Sequence, residues 1–300
     1  MVCGRRGGSA GVVEIHYDSP NEIASFLRER NLWLKKRFGQ NFLVNPGVRK
    51  RLVDLLHLTG EENVWEIGPG IGSLTVYLDE KADRLTVFEI DYGLIQVLNE
   101  LFPELTVVPG DVVDTWPGIY EKEGLPDRVF GNLPYSSGAA IILSFIERGF
   151  APERMVFTVQ KEQAERMIAA PGSRAYSSFS VLCTAFYHLE VAGDIKPGSF
   201  FPRPEVTSRI VVLTPNRELT IRHKDVFLTL TRDLFRQKRK TIRNNLESGN
   251  LATIAGKGLL FSALEGCSLD LSVRGEELSV HTIAECADEI GRKLNEKANG

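Results

Sequence analysis

Four consecutive residues, Asn132-Leu133-Pro134-Tyr135, carry groups suited to one task. The exocyclic amine of an aromatic base is a poor nucleophile, because its lone pair is delocalised into the ring. Two fixed acceptors for the amine hydrogens would turn that lone pair outward. The Asn132 side-chain oxygen and a backbone carbonyl, most simply that of Leu133, are such acceptors. Pro134 stiffens the turn. Tyr135 offers a face on which an unstacked base can rest, worth about 1–3 kcal/mol. Alkylation at adenine N6 would then need positioning and electrostatics rather than a strong base. An isolated Asn-Leu-Pro-Tyr is more often a capped turn, so its meaning depends on what precedes it.

What precedes it is a nucleoside-shaped set. Glu66-Ile67-Gly68-Pro69-Gly70-Ile71-Gly72 follows one apolar run, and its glycines allow a sharp turn and close approach to a ligand. Glu89 ends a second run, 21 residues after Gly68, where an acid can accept both hydroxyls of a ribose. Asp111 follows a third run, placed for the exocyclic amine of an adenine. The spacing is close to GxGxxG, so the loop by itself leaves NAD open. Pro69 and Gly72 make a different loop, however, with no helix N-terminus free for a pyrophosphate. S-Adenosylmethionine, an adenosine without phosphate, fits better.

Such groups need a scaffold that gathers strand ends. Short apolar runs at 63–67, 85–90, 105–109, 128–131 and 155–159 alternate with helical periods at 73–80, 92–101 and 139–148. That alternation predicts a doubly wound, Rossmann-like α/β sheet, mostly parallel. Ser19-Pro20-Asn21-Glu22 reads as a capped helix start, with the helix running to about Arg30. Residues 38–47 read as irregular and 48–56 as helix. A helix is expected over 176–187. The β-rich stretches 188–195 and 205–214 are expected to pair antiparallel at a sheet edge. Beyond Pro215 only helices are expected, over 225–237, 240–246, 251–264 and 281–297. The domains then read as an extension (1–34), a cofactor-binding catalytic domain (35–215) and a small all-α domain (216–300).

The 300 residues carry 36 basic and 39 acidic side chains, net −3, which argues against a general nucleic-acid coat. The charge is unevenly placed. Between Lys35 and Arg51 stand six cations and no acid; between Arg232 and Arg243 stand six cations against Asp233 alone. Such clusters can hold a polyanion locally. No apolar run approaches the ~20 residues of a membrane helix, and Met1–Gly11 lacks the apolar core of a secretory leader. Cys3, Cys183, Cys267 and Cys286 form no CxxC pair. They read as reduced thiols in a cytoplasmic protein, with neither a disulfide frame nor a metal site.

Several longer stretches occur in a familiar order: Lys36–Leu43 (KRFGQNFL), Glu66–Gly70, Glu89-Ile90-Asp91, Gly131–Tyr135, Gln160-Lys161-Glu162, Phe200–Val206 (FFPRPEV) and Gln237–Leu246 (QKRKTIRNNL). On these the chain resembles the KsgA-type ribosomal RNA adenine N6,N6-dimethyltransferases over about residues 35–290. The resemblance implies that Asn41, Leu43, Gly68, Gly70, Glu89, Asp111 and Asn132 contact S-adenosylmethionine. It implies that Asn132 and Tyr135 hold the target adenine within the Asn132–Tyr135 turn, with Phe200 stacking on the other face. Two methyl groups would pass to each of two adjacent adenines in a hairpin loop near the 3′ end of small-subunit rRNA, within an assembling subunit. Lys36 and Arg37, beside the cofactor loop, and Arg236, Lys238, Arg239, Lys240 and Arg243, on a helix–turn–helix, would meet RNA phosphates. A monomer is expected.

The chain also departs from the family. Ser136-Ser137-Gly138 stands where Asn-Ile-Ser is usual, and Tyr176-Ser177-Ser178-Phe179-Ser180 where Tyr-Gly-Arg-Leu-Ser is usual. The alternatives are a large-subunit rRNA methyltransferase of the macrolide-resistance type, a non-catalytic RNA-binding assembly factor of the same fold, and an NAD-dependent oxidoreductase.

Overall fold

The computed structural model describes residues 15–35 and 38–299. They form two compact units, one of residues up to Ala164 with Glu190–Thr214, the other of Glu165–Leu189 with Pro215 onward. The boundary expected at 215 is one of the places where the chain passes from one unit to the other, and it also passes at Ala164–Glu165 and Leu189–Glu190. Helix α8 (Ser178–Phe186) belongs with the C-terminal helices, because it packs on α9 (Lys224–Leu234) and α13 (Val280–Asn299).

In the first unit, α1 (Pro20–Glu29) begins where the sequence predicts, with the Ser19 hydroxyl accepting from the Glu22 N–H. Then come β1 (Phe42–Leu43), α2 (Pro46–Asp54), β2 (Asn63–Ile67), α3 (Thr75–Lys81), β3 (Arg84–Glu89), α4 (Tyr92–Leu101), β4 (Thr106–Pro109), α5 (Val112–Glu123), β5 (Arg128–Asn132), α6 (Gly138–Arg148), β6 (Arg154–Gln160) and α7 (Lys161–Met167). After α8 follow β7 (Tyr187–Ile195), β8 (Phe200–Phe201) and β9 (Ser208–Pro215). The strand order is β4-β3-β2-β5-β6-β9-β7, and β9 runs antiparallel to β6 with β7 at the edge. Strands β4, β3, β2, β5 and β6 are parallel. Their apolar runs are nearly continuous because both faces are covered. Helix α5 forms despite Pro117, its Trp116 buried against Phe145 and Phe150.

Two features escape sequence periodicity. Strand β1, in the stretch read as irregular, pairs antiparallel with β8, setting Phe42 opposite Phe201 and Leu43 opposite Phe200. Residues 15–34 are also not an appendage. Ile23, Phe26 and Leu27 are buried with Phe42, Val44, Ile71, Leu94 and Val97, and Ile15, Tyr17, Leu32 and Leu34 pack against that cluster. The Arg49 guanidinium, almost wholly buried, pairs with Asp18 and lies near the rings of Tyr17 and Tyr77. Residues 1–18 are Gly-rich and expected from the sequence to be loose; of these, 1–14 lie outside the described residues.

The second unit adds α10 (Ile242–Glu247), α11 (Asn250–Ala255) and α12 (Lys257–Gly266). The helix expected over 251–264 is broken in two at Gly256, whose φ of 79° lies outside the helical region. Cys183, Cys267 and Cys286 are free thiols. Among the described residues no helix is long and apolar enough to cross a membrane, and no cluster of His, Cys, Asp and Glu could hold a metal ion.

Candidate active site

Strand order explains how residues far apart in sequence meet. The chain turns back across the sheet between β2 and β5, and in open α/β sheets the crevice at such a switch point takes ligands. The glycine loop after β2 and the Asn132 turn after β5 share that crevice. A cavity of about 280 Å³ there is lined by Asn41, Gly68, Gly70, Glu89, Asp111, Asn132 and Pro134, among others. Ser136 and Ser137, the departures from the usual family pattern, also line it.

The loop geometry needs its glycines. Gly68 and Gly70 have φ of 68° and 63°, and a side chain at Gly70 would strike the Phe42 ring at 2.7 Å. The loop thus closes directly against the β1 segment. That segment is latched in turn. Lys35 Nζ and Gln40 Nε2 each donate to Asp91 at 2.9 Å, and the Lys35 N–H donates to Gln40 Oε1 at 2.8 Å. Burial alone would raise the Asp91 pKa, but these hydrogen bonds and one from the Gly93 N–H outweigh it and hold the carboxyl below its usual value.

Glu89 is almost fully buried. Its carboxylate accepts from the N–H groups of Gly70 (3.1 Å), Ile90 (3.0 Å) and Asp91 (2.9 Å). A carboxylate has about four lone-pair positions, so one is left for a ribose hydroxyl where the sequence suggested two hydroxyls. Burial pushes its pKa up to about 7, against the pull of the backbone donors. Behind it Glu66, fully buried and accepting from the Thr75 hydroxyl at 2.7 Å, is pushed up to about 8 by burial and by Glu89. Asp111 caps α5, with Oδ1 accepting from the Val113 N–H at 2.9 Å, and its side chain is solvent-accessible at the cavity. The glycine loop, one free acceptor position on Glu89 and the exposed carboxylate of Asp111 at the same cavity fit the adenosine of S-adenosylmethionine.

The Asn132–Tyr135 turn is held as tightly. Asn132 Nδ2 donates to the Asn41 carbonyl at 2.8 Å, and its Oδ1 accepts from the Thr158 hydroxyl. The Leu133 N–H donates to the Thr158 carbonyl at 3.0 Å. The Leu133 side chain is buried, so what this residue can offer a ligand is its carbonyl. The Tyr135 hydroxyl hydrogen-bonds Ser208 Oγ at 2.6 Å, which fixes the half-buried ring against the start of β9.

Two expected site residues are placed elsewhere. Leu43 and Phe200 face each other across the β1–β8 pair and sit in the apolar core with Leu52, Val53 and Ile195. Phe200 is 4% exposed, so it presents no free face for stacking a base, and Leu43 does not line the cavity. Their apolar character in a two-stranded pairing explains the burial. Lys36 and Arg37 lie outside the described residues.

In the second unit the basic stretch forms the turn from α9 into α10. Arg236, Lys238, Arg239, Lys240 and Arg243 are all exposed. Arg236 donates to the Ser248 carbonyl; Lys238 pairs with Glu276 (3.4 Å) and donates to the Arg174 carbonyl (2.8 Å); Arg243 pairs with Glu247 (4.0 Å). Among the described residues no carboxylate pairs with Arg239 or Lys240. Buried Asn245 shapes the turn: its Nδ2 donates to the carbonyls of Leu234 and Gln237, and its Oδ1 accepts from the Gln237 N–H.

Sequence reasoning did not single out Gln40, Asp91, Thr158, Ser208 or Asn245. Gln40, Asp91 and Asn245 lie inside the motif stretches and could have been read as polar residues needing partners. Thr158, within an apolar strand, carries no such signal.

Comparison with known proteins agrees with this geometry. The family model described as ribosomal RNA adenine dimethylase matches residues 31–257. The chain is 38% identical over 282 residues to ribosomal RNA small subunit methyltransferase A of Treponema denticola, covering 92% of this chain and 96% of that protein. It is 40% identical over 278 residues to the protein of the same name from Treponema pallidum, covering 92% and 97%. A dimethyladenosine transferase from Plasmodium falciparum superposes with a TM-score of 0.69 at 26% identity, over 83% of this chain and 97% of that one. The 23S rRNA methyltransferase ErmE superposes with a TM-score of 0.57 at 20% identity, over 83% and 99%, a likeness of fold alone.

Proposed function

This chain belongs to the ribosomal RNA adenine dimethylase family, and from that premise we propose how its residues divide the work of small-subunit rRNA adenine N6,N6-dimethylation. The enzyme transfers methyl groups from S-adenosylmethionine, which supplies an electrophilic methyl carbon on a sulfonium. Its targets are two adjacent adenines in the 3′-terminal hairpin loop of the small-subunit rRNA, met within an assembling subunit. One observation carries the reading: the Asn132 carboxamide lines the same cavity as Glu89 and Asp111.

Glu89 accepts from a ribose hydroxyl, Asp111 from the amine of the cofactor's adenine, and Gly68, Gly70 and Asn41 shape the bed in which both lie. The target adenine gives its two N6 hydrogens to Asn132 Oδ1 and the Leu133 carbonyl, while Pro134 keeps the turn rigid and Tyr135 supplies a stacking face. Held in this way, the N6 lone pair would face the electrophilic methyl that bound S-adenosylmethionine would supply. The methylated amine carries the positive charge and releases a proton to water. Positioning and a fixed field do the catalysis.

Arg236, Lys238, Arg239, Lys240 and Arg243 neutralise RNA phosphates, with Lys36 and Arg37 adding to this from the segment before the cofactor loop. The protein acts as a monomer in the cytoplasm, where small subunits are assembled. The test is to incubate it with tritiated S-adenosylmethionine and unmethylated small subunits, then map the labelled adenines. Label confined to two neighbouring adenines near the 3′ end supports the reading. Label in large-subunit rRNA, or none, overturns it.

A further inference from the structure

Asn132 and Thr158 are register partners in the parallel pair β5–β6, so their side chains lie on one face of the sheet. Thr158 is completely buried. It reaches two consecutive residues of the catalytic turn by different means. Its carbonyl accepts from the Leu133 N–H, and its hydroxyl donates to Asn132 Oδ1. Any residue at 158 can make the first bond. Only a hydroxyl keeps the second in the same small space.

We infer that Thr158 is a positioning residue for methyl transfer, setting the orientation of the Asn132 carboxamide through its hydroxyl. The inference rests on the function proposed above. A carboxamide is nearly symmetrical in shape, and the torsion that exchanges its oxygen and nitrogen is soft. Two partners resolve it here. The Asn41 carbonyl can only accept, so it claims the nitrogen; the Thr158 hydroxyl donates, so it claims one lone pair of the oxygen. One oxygen lone pair and one amide hydrogen remain free. The Asn41 anchor belongs to the segment before β1, whereas Thr158 is part of the sheet. Thr158 is thus the anchor that does not depend on how that segment is set.

The second methyl transfer makes the stronger demand. An N6 amine that already bears one methyl has a single hydrogen, so one acceptor alone must aim it. A carboxamide held at one end should therefore harm the second transfer more than the first.

The test compares the full-length protein with Thr158→Val, which keeps the shape and removes the hydroxyl, and with Thr158→Ser, which keeps the hydroxyl. Unmethylated small subunits and labelled S-adenosylmethionine are the substrates, and mono- and dimethyladenine are separated after digestion. Thr158→Val is expected to lower kcat about tenfold, the worth of one hydrogen bond. KM for subunits and the cofactor Kd should stay within about twofold, and the monomethyl fraction should rise. Thr158→Ser should restore both kcat and the product ratio. A Thr158→Val enzyme with wild-type kcat and product ratio overturns the inference. So does a Thr158→Ser enzyme as impaired as the Val variant, or a loss confined to KM or cofactor Kd. No transfer by the wild-type protein overturns the functional reading, and this inference with it.

Discussion

At the strand ends of the first unit almost every polar side chain is committed. Asn132 holds Asn41 and Thr158, Glu89 holds three backbone N–H groups, and Asp91 holds Lys35 and Gln40. The basic turn of the second unit is built differently. Its frame is a single buried amide, Asn245, and its cations are exposed, two loosely paired with carboxylates and three (Arg236, Arg239 and Lys240) without a carboxylate partner among the described residues. On the function proposed above, the contrast follows from what each would recognise. Aiming one lone pair at one carbon tolerates little angular error. Phosphates are recognised by charge summed over several cations, and each of these can slide.

Breaking the first region should therefore be abrupt and breaking the second graded. The largest effect is expected for Asn132→Ala, with kcat falling about 10²–10³-fold as for loss of a fixed transition-state partner. Equilibrium binding of labelled S-adenosylmethionine should be little changed. Retained wild-type turnover would erase the contrast.

Next comes Glu89→Ala, expected to weaken cofactor binding by about 1.5–3 kcal/mol through loss of charge-assisted hydrogen bonds. Titration calorimetry would read it. The same group gives a pH signature. Glu89 is raised to about 7 by burial, and a ribose hydroxyl donating to it would favour its charged form. Binding thus releases a proton, and affinity should rise as pH climbs from 6 to 8. Glu89→Gln should flatten that rise.

In the second unit, replacing Arg236, Lys238 and Arg239 by Ala should weaken subunit binding. It should also flatten the dependence of log affinity on log salt by about one for each phosphate no longer neutralised. Taken singly, Arg239 should matter most and Lys238 least, because Lys238 is already shared with Glu276 and Arg174. Equal effects would mean that these local pairings give way on RNA binding.

The smallest effect sharpens the first region again. Burial holds the Glu66 pKa near 8 against an ordinary 4.5. A carboxyl raised on folding contributes stability that is complete below its unfolded pKa and is lost as pH rises through its folded pKa. The melting temperature should therefore fall between about pH 4.5 and 8, and Glu66→Gln should reduce that fall by about 2–4 °C. Parallel pH profiles for the two proteins would place the effect elsewhere.

The sheet was largely legible because its strands are short apolar runs of regular spacing, and helix α1 because Ser19 and Pro20 are local signals. Strand β1 was not legible. Two residues have no period, and their partners lie more than 150 positions away. The same pairing buries Phe200, which the motif alone presented as a stacking ring. Residues 15–34 read as an extension in the sequence because their apolar side chains find partners only in the folded chain.

By itself, then, the sequence determined the family, the order of the parallel strands along the chain, and several of the polar groups around the cavity. Each is written in local spacing or in runs of adjacent residues. Tertiary structure alone decided which of those groups face the cavity and which are consumed by packing. It decided how many lone pairs Glu89 retains, and that Asn132 is held by a threonine from the neighbouring strand. These are relations between residues brought together by the register of the sheet, and a one-dimensional pattern carries no record of register.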